Sequence, residues 1–212
     1  MVKQDCILFD LDGTLLDTGD LIRASFEYTF AKEMGEPVPW EQLHKFWGRP
    51  LLDQMRLFAD SPEKAQRMLE VYREHNARYH DELAKITPGA KETLKALKEA
   101  GKTIAVVTSK SVSMAKRGVK LFGLDQYLDA LVGAEDTQRH KPDPAPVLLA
   151  LEKLGKSPEE AIMVGDSPYD IEAGLRAGTV TAGLEWTIFP KESFDGREPH
   201  RWLKALSDLV YS

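Results

Sequence analysis

The sequence predicts an α/β fold: a doubly wound parallel sheet with a Rossmann-like core, interrupted early by an inserted all-helical segment. Three observations carry this. Five short apolar runs recur along the 212 residues, of the length expected for strands buried on both faces. Helical patterns separate the later runs at βαβ spacing. Between the first run and the second lies a stretch of about seventy residues with no convincing strand.

The first run is Cys6-Ile7-Leu8-Phe9, and the strandless stretch follows it from about Leu16 to Lys85. Within that stretch helices are predicted over Leu21–Lys32, Glu41–Phe46, Leu51–Phe58 and Pro62–Tyr79. Pro62 after Ser61 suits a first-turn position, where its missing N–H costs nothing. Thr87-Pro88-Gly89 marks the return to the α/β body. The remaining runs are Thr103–Val107, Ala130–Val132, Ala161–Val164 and Val180–Gly183, with helices over Val112–Phe122, Pro144–Leu154 and Tyr169–Ala177. Gly101 and Gly178 stand where helix C-caps belong. The expected division is residues 1–15 and 86–212 as a catalytic core and 16–85 as a helical cap. An insertion after the first strand would hang over the carboxyl ends of the strands, where open α/β sheets bind ligands.

Composition narrows the function. With 28 Lys+Arg against 34 Asp+Glu, the net charge is −6, which speaks against a nucleic-acid partner. No apolar stretch approaches the roughly 18 residues of a membrane span, so a membrane partner is not expected. A single cysteine, Cys6, excludes an intrachain disulfide framework and suits a reducing, cytoplasmic setting. It reads as a small core residue. The chain is expected to work as a monomer or homodimer on a small molecule.

The chemistry collects at the strand tips. They read Phe9-Asp10-Leu11-Asp12-Gly13-Thr14, Val107-Thr108-Ser109-Lys110, Arg139-His140-Lys141-Pro142-Asp143 and Val164-Gly165-Asp166-Ser167-Pro168-Tyr169-Asp170. In a parallel sheet these tips converge. Like carboxylates about 4 Å apart repel by roughly 4 kcal/mol at an effective dielectric near 20, so such a cluster calls for a cation. Oxygen ligands without thiolate or imidazole favour a hard ion, and Mg²⁺ is the usual companion of phosphate. Lys141, Thr108 and backbone N–H groups would receive the anion.

On these residues the sequence resembles the haloacid dehalogenase superfamily phosphatases with a helical cap. DLDGT at Asp10, Thr108 or Ser109, Lys141, and GDSPYD at Asp166 stand in that family's order. The resemblance implies that Asp10 is nucleophile and metal ligand, and that Asp12 is the general acid and base, with its backbone carbonyl on Mg²⁺. Asp166 would be a direct ligand and Asp170 a support for the metal site. Lys141 would offset charge on the anion. Thr108 and the N–H groups of Gly13 and Ser109 would hold the phosphoryl oxygens. Dehalogenases of the superfamily lack the acid two residues on, so Asp12 and Asp166 favour phosphoryl transfer.

Within the superfamily the chain is similar to bacterial inorganic pyrophosphatases and phosphoglycolate phosphatases. The stretches involved are Tyr79-His80-Asp81-Glu82-Leu83, Val107–Lys110, Lys141–Pro144 and Ala182–Thr187, while Trp47-Gly48-Arg49-Pro50 looks as much like the sugar-phosphate and phosphoglycolate enzymes. Pyrophosphate is the implied substrate and phosphoglycolate the alternative. A sugar phosphomutase and a non-catalytic module remain further readings. Arg49, Lys110 and His140 are candidate substrate contacts, and Trp186 either lines the pocket or packs the sheet edge. Asp17, Asp20 and Asp143 read as caps. His44, His75, His80 and His200 read as surface residues, their spacing giving no metal pattern.

Overall fold

In the computed structural model of the protein, residues 1–36, 38–39 and 50–211 are described. The helix expected over Glu41–Phe46, with His44, and the candidate contact Arg49 lie outside them.

All five apolar runs form strands of one parallel sheet. They are β1 (Cys6–Phe9), β4 (Thr103–Val107), β5 (Ala130–Val132), β6 (Ala161–Gly165) and β7 (Val180–Leu184). A sixth, β8 (Arg201–Leu203), completes the order β5-β4-β1-β6-β7-β8. Its three residues offer too short an apolar run to read as a strand. The central strand β1 pairs with β4 and β6 in one register, Phe9 lying opposite both Val106 and Val164. The tips of these strands therefore end level with one another.

Alternation along the strands builds two cores. Ile7, Phe9, Ile104, Val106, Ile162 and Val164 face one side; Cys6, Leu8, Ala105, Val107, Ala161 and Met163 face the other. Helices cover both faces, α4 (Ala90–Glu99) through Leu94 and Leu97 and α5 (Val112–Leu121) through Ala115 and Val119 on the first, and α6 (Ala145–Leu154) through Val147 and Leu151 on the second. At roughly 1.5–3 kcal/mol for each fully buried large aliphatic side chain, these faces hold the strand tips in fixed relation.

The helical stretch has its own packing. Here α1 (Gly19–Met34), α2 (Leu51–Arg56) and α3 (Pro62–Leu83) enclose Phe26, Phe30, Met55, Met68, Leu69 and Tyr72. Ser61 caps α3 by accepting from the Lys64 N–H at 3.2 Å, with Pro62 in the first turn as expected. The expectation of no strand between Leu16 and Lys85 is corrected at its edges. Leu16–Asp17 (β2) and Lys85–Ile86 (β3) form a two-stranded antiparallel ribbon where the chain leaves and returns. Two-residue strands carry no periodicity, so sequence could not show them. Among the described residues no helix is long and apolar enough to cross a membrane.

Candidate active site

The site begins with the register. Because β1 and β6 end together, Asp10 just past β1 and Asp166 just past β6 become neighbours, and the Asp10 N–H still donates to the Val164 carbonyl at 2.9 Å. The helix α7 (Pro168–Ala177) starts one residue beyond Ser167, which brings Asp170 inward. Carboxylate oxygens of Asp10, Asp166 and Asp170 lie within 4.8 Å of one another, and all three residues are buried.

Lys141 enters this cluster from the loop before α6. It is 4% exposed. Its Nζ donates to Asp10 Oδ1 at 2.6 Å, to Asp170 Oδ1 at 2.5 Å and to the Val107 carbonyl at 3.1 Å. Among the described residues, one ammonium facing three buried carboxylates leaves an excess of negative charge. Burial pushes the Asp10 carboxyl up to about 7, Lys141 pulling it back and Asp170 adding to the rise. Burial, then Asp170 and Asp10, hold Asp166 well above the ordinary carboxylate range. Burial disfavours the Lys141 ammonium, but Asp10 and Asp170 outweigh it and raise its pKa.

Asp170 is held by a capping box. Its Oδ2 accepts from the Ser167 N–H at 3.0 Å and the Ser167 hydroxyl at 2.6 Å, while its own N–H donates to Ser167 Oγ at 3.3 Å. The cap and the site share one residue: Oδ2 serves the helix start and Oδ1 serves Lys141.

Asp12 is set apart from the buried three. Its Oδ1 accepts from Thr18 Oγ1 and from Lys110 Nζ, both at 2.8 Å. Thr18 is the N-cap of α1, yet its hydroxyl goes to Asp12 instead of capping the helix. Lys110, expected on the substrate, is thus committed to Asp12 while also lining the cavity.

Gly13 needs a correction. Its N–H was expected to hold a phosphoryl oxygen, but it donates to the Leu16 carbonyl at 2.7 Å, closing the turn toward β2. The glycine is required for another reason. Its φ is +84°, and a Cβ there would sit 2.5 Å from Asp166 Oδ2.

The other expected groups line one cavity of about 660 Å³: Thr108, Ser109, Lys110, His140 and Lys141 lie on the sheet side. Thr108 Oγ1 accepts from the Lys110 N–H at 3.1 Å. The buried Ser109 hydroxyl has no hydrogen-bond partner among the described residues. Ile22, Phe26, Tyr72, Arg73 and Asn76 form the opposite wall from α1 and α3. Tyr72 bonds Asn76, and burial together with Asp12 raises its phenol pKa.

Trp186 does not line the cavity that holds Lys141. It borders a separate cavity of about 440 Å³, and its Nε1 donates to the Gly13 carbonyl at 3.1 Å. Asp17 accepts from the Gly19 N–H and Asp143 from the Ala145 N–H, as cap residues do. Asp20 lies in the first turn of α1 and pairs with Lys85. His80, expected at the surface, is fully buried on Asp81 at 2.8 Å, and burial lowers its pKa. Its ring lies against Gly118, where a Cβ would sit 3.4 Å from His80 Nε2, which polarity alone could not reveal.

Sequence reasoning missed Thr18, Ser167, Thr187, Tyr72 and Asn76. Ser167-x-x-Asp170 was legible as a capping box. Tyr72 and Asn76 depend on which face of α3 meets the cavity, and Thr18 and Thr187 on hydrogen bonds made between loops, neither of which shows without the packing.

Comparison with known proteins places this geometry. The model for haloacid dehalogenase-like hydrolases matches residues 7–184. A protein named "putative pyrophosphatase PpaX" from Caldanaerobacter subterraneus subsp. tengcongensis is 46% identical over 209 residues, covering 99% of this chain and 94% of that one. Pyrophosphatase PpaX of Bacillus velezensis is 42% identical over 209 residues, covering 99% and 96%. A crystal structure described as a "predicted phosphatase" from Clostridium acetobutylicum superposes with a TM-score of 0.87 at 27% identity, covering 99% and 98%.

Proposed function

The chain belongs to the haloacid dehalogenase-like hydrolase family, and from that premise we propose that it is a Mg²⁺-dependent phosphohydrolase. In this reading it carries the phosphoryl group on Asp10 and acts on a small anionic phosphate, inorganic pyrophosphate first. The observation that carries the proposal is Lys141, buried between Asp10 and Asp170 beside Asp166. Among the described residues, three buried carboxylates against one ammonium suit a site completed by a cation.

The donor set fits Mg²⁺. It is all oxygen, buried and over-charged, as the raised carboxyls of Asp10 and Asp166 express. Asp10, Asp166 and the Asp12 carbonyl would hold the ion, with Asp170 supporting them. When bound, it supplies charge neutralisation to the anion and keeps Asp10 ionised.

The chain's residues supply the rest. A carboxylate oxygen of Asp10 bonds to phosphorus as the bond to the leaving oxygen breaks. Asp12, oriented by Thr18 and Lys110, gives that oxygen its proton. Asp12 then takes a proton from water, whose oxygen attacks phosphorus and frees Asp10. Lys141, Thr108 and Ser109 hold phosphoryl oxygens, so that catalysis is mostly positioning and electrostatics. Residues 16–85 serve as a cap whose wall of Ile22, Phe26, Tyr72 and Asn76 closes the site from water.

Pyrophosphate is supported by the names of the two relatives. Phosphoglycolate is the second reading, because a cavity of about 660 Å³ with Ile22 and Phe26 on its wall leaves more room than one pyrophosphate ion fills. Phosphate release from pyrophosphate, phosphoglycolate, a hexose phosphate and an aryl phosphate tests both, with wild type and Asp10→Asn, with Mg²⁺ and with chelator. The account expects Mg²⁺-dependent release by wild type only, fastest from pyrophosphate. Equal and slow turnover of all four would sink the substrate assignment, and release that survives chelation would sink the metal.

A further inference from the structure

We propose that Trp186 and Thr187 are positioning residues that fix the spacing of the carboxylate cluster by tying the Asp10 loop to the Asp166 loop. The proposal rests on reading that cluster as the cation site.

Asp10 and Asp166 leave adjacent strands, and the last ladder bond between those strands is the Asp10 N–H to the Val164 carbonyl. Beyond it the two loops carry negative charge toward each other. The side-chain contact between them is weak: Thr14 Oγ1 reaches Asp166 Oδ1 at 3.5 Å. Gly13 lies against the Asp166 carboxylate so closely that a methyl group would not fit. Lys141 bridges Asp10 to Asp170 through their carboxylates, and a restraint on the backbones of the two loops would set their spacing independently of that ammonium.

Two consecutive residues after β7 provide it. The Trp186 indole N–H donates to the Gly13 carbonyl at 3.1 Å, and the Thr187 hydroxyl donates to the Asp166 carbonyl at 2.5 Å. Each loop is thus held from behind, through its backbone, leaving its carboxylates for the site. The segment is itself anchored: the Glu185 N–H donates to Leu203, the Thr187 N–H to Leu184, and the Phe189 N–H to Thr187 Oγ1.

A purely structural role fits Trp186 poorly. It is 38% exposed, whereas Trp202 packs edge-on to Phe194 and covers Gly183. The partly wet indole contributes a directed N–H more than core volume.

The test is Mg²⁺ titration by calorimetry on metal-stripped protein without substrate, using wild type, Trp186→Phe, Thr187→Val and Thr187→Ser, with thermal midpoints in chelator alongside. Losing either directed bond should weaken Mg²⁺ binding about tenfold. Thr187→Ser, which keeps the hydroxyl, should restore it. Affinity unchanged in Trp186→Phe and Thr187→Val overturns the positioning role while leaving the cation site intact. So does weakening in Thr187→Ser equal to that in Thr187→Val. No binding by wild type overturns the reading of the cluster itself, and the inference with it.

Discussion

Replacing Lys141 with Met keeps most of the side-chain volume and removes, among the described residues, the one ammonium that touches the buried carboxylates. Two ion pairs are lost at once, at 2.6 Å to Asp10 and 2.5 Å to Asp170. Breaking a buried pair by removing one partner costs about 3–5 kcal/mol. The cost should depend on pH, and the sign follows from Asp10. Its pKa climbs from the ordinary 3.8 to about 7 even with Lys141 present, which corresponds to roughly 4 kcal/mol against its charged form. A carboxyl raised in the folded state contributes stability that is fully present below its unfolded value. That contribution is lost as pH rises through the folded value, here between about 4 and 7. Without Lys141 the carboxyls climb further, so the variant suffers most where they must ionise. Urea unfolding in chelator should therefore show Lys141→Met less stable than wild type by roughly 3–5 kcal/mol at pH 8 and by about half that at pH 5. A deficit under about 1 kcal/mol at both pH values, or a larger deficit at pH 5, would refute this electrostatic reasoning.

Gly13→Ala should lower stability by roughly 1–3 kcal/mol, because its φ of +84° and the 2.5 Å approach to Asp166 both penalise a Cβ; thermal melts and Mg²⁺ titration together check it, and an unperturbed Mg²⁺ affinity would contradict the contact. Asp12→Asn should slow pyrophosphate hydrolysis by about 10²–10⁴ and spare the first-turnover burst of phenol from an aryl phosphate, whose leaving group needs little protonation, while slowing its later turnovers through the lost base. A burst slowed as much as pyrophosphate cleavage would deny Asp12 the proton-donor role. Saturating Mg²⁺, at about 100 times its Kd, should stabilise the protein by roughly 2.7 kcal/mol. At a fixed Mg²⁺ concentration the rise in Tm should be larger at pH 8 than at pH 5.5, since protons on Asp10 and Asp166 compete with the ion. A Tm shift that is flat across that range would argue against those two ligands.

The fold was legible because each strand is a short apolar run and each tip carries an uncommon polar residue. Cys6–Phe9 and Ala161–Val164 are buried on both faces, and burial of that kind writes itself into composition. The carboxylate cluster can be traced to the same pattern: Asp10 and Asp166 sit directly past strands of level register and Asp170 in the first turn of α7, while Lys141 reaches them from the loop before α6. What stayed hidden depends on rotation and on short elements. The two-residue strands at Leu16–Asp17 and Lys85–Ile86 carry no period. His80 looked like a polar surface residue because α3 carries many charges, yet it is buried with its ring against Gly118. Gly13 was noticed for the right position and the wrong group. Its N–H closes a turn, and its missing side chain makes room for Asp166. Trp186 and Thr187 act through backbone carbonyls of distant residues, and contacts of that kind leave no pattern along the chain.

The central claim is that the oxygen of one aspartate becomes covalently phosphorylated. Acid quench during turnover of pyrophosphate with Mg²⁺, followed by borohydride reduction and peptide mass spectrometry, reads it directly, because reduction converts an acyl phosphate to homoserine. Homoserine at position 10, absent when Mg²⁺ or substrate is withheld, is the expected result. An unmodified Asp10 recovered from enzyme quenched in rapid turnover, or homoserine at Asp12 or Asp166 instead, would contradict the account.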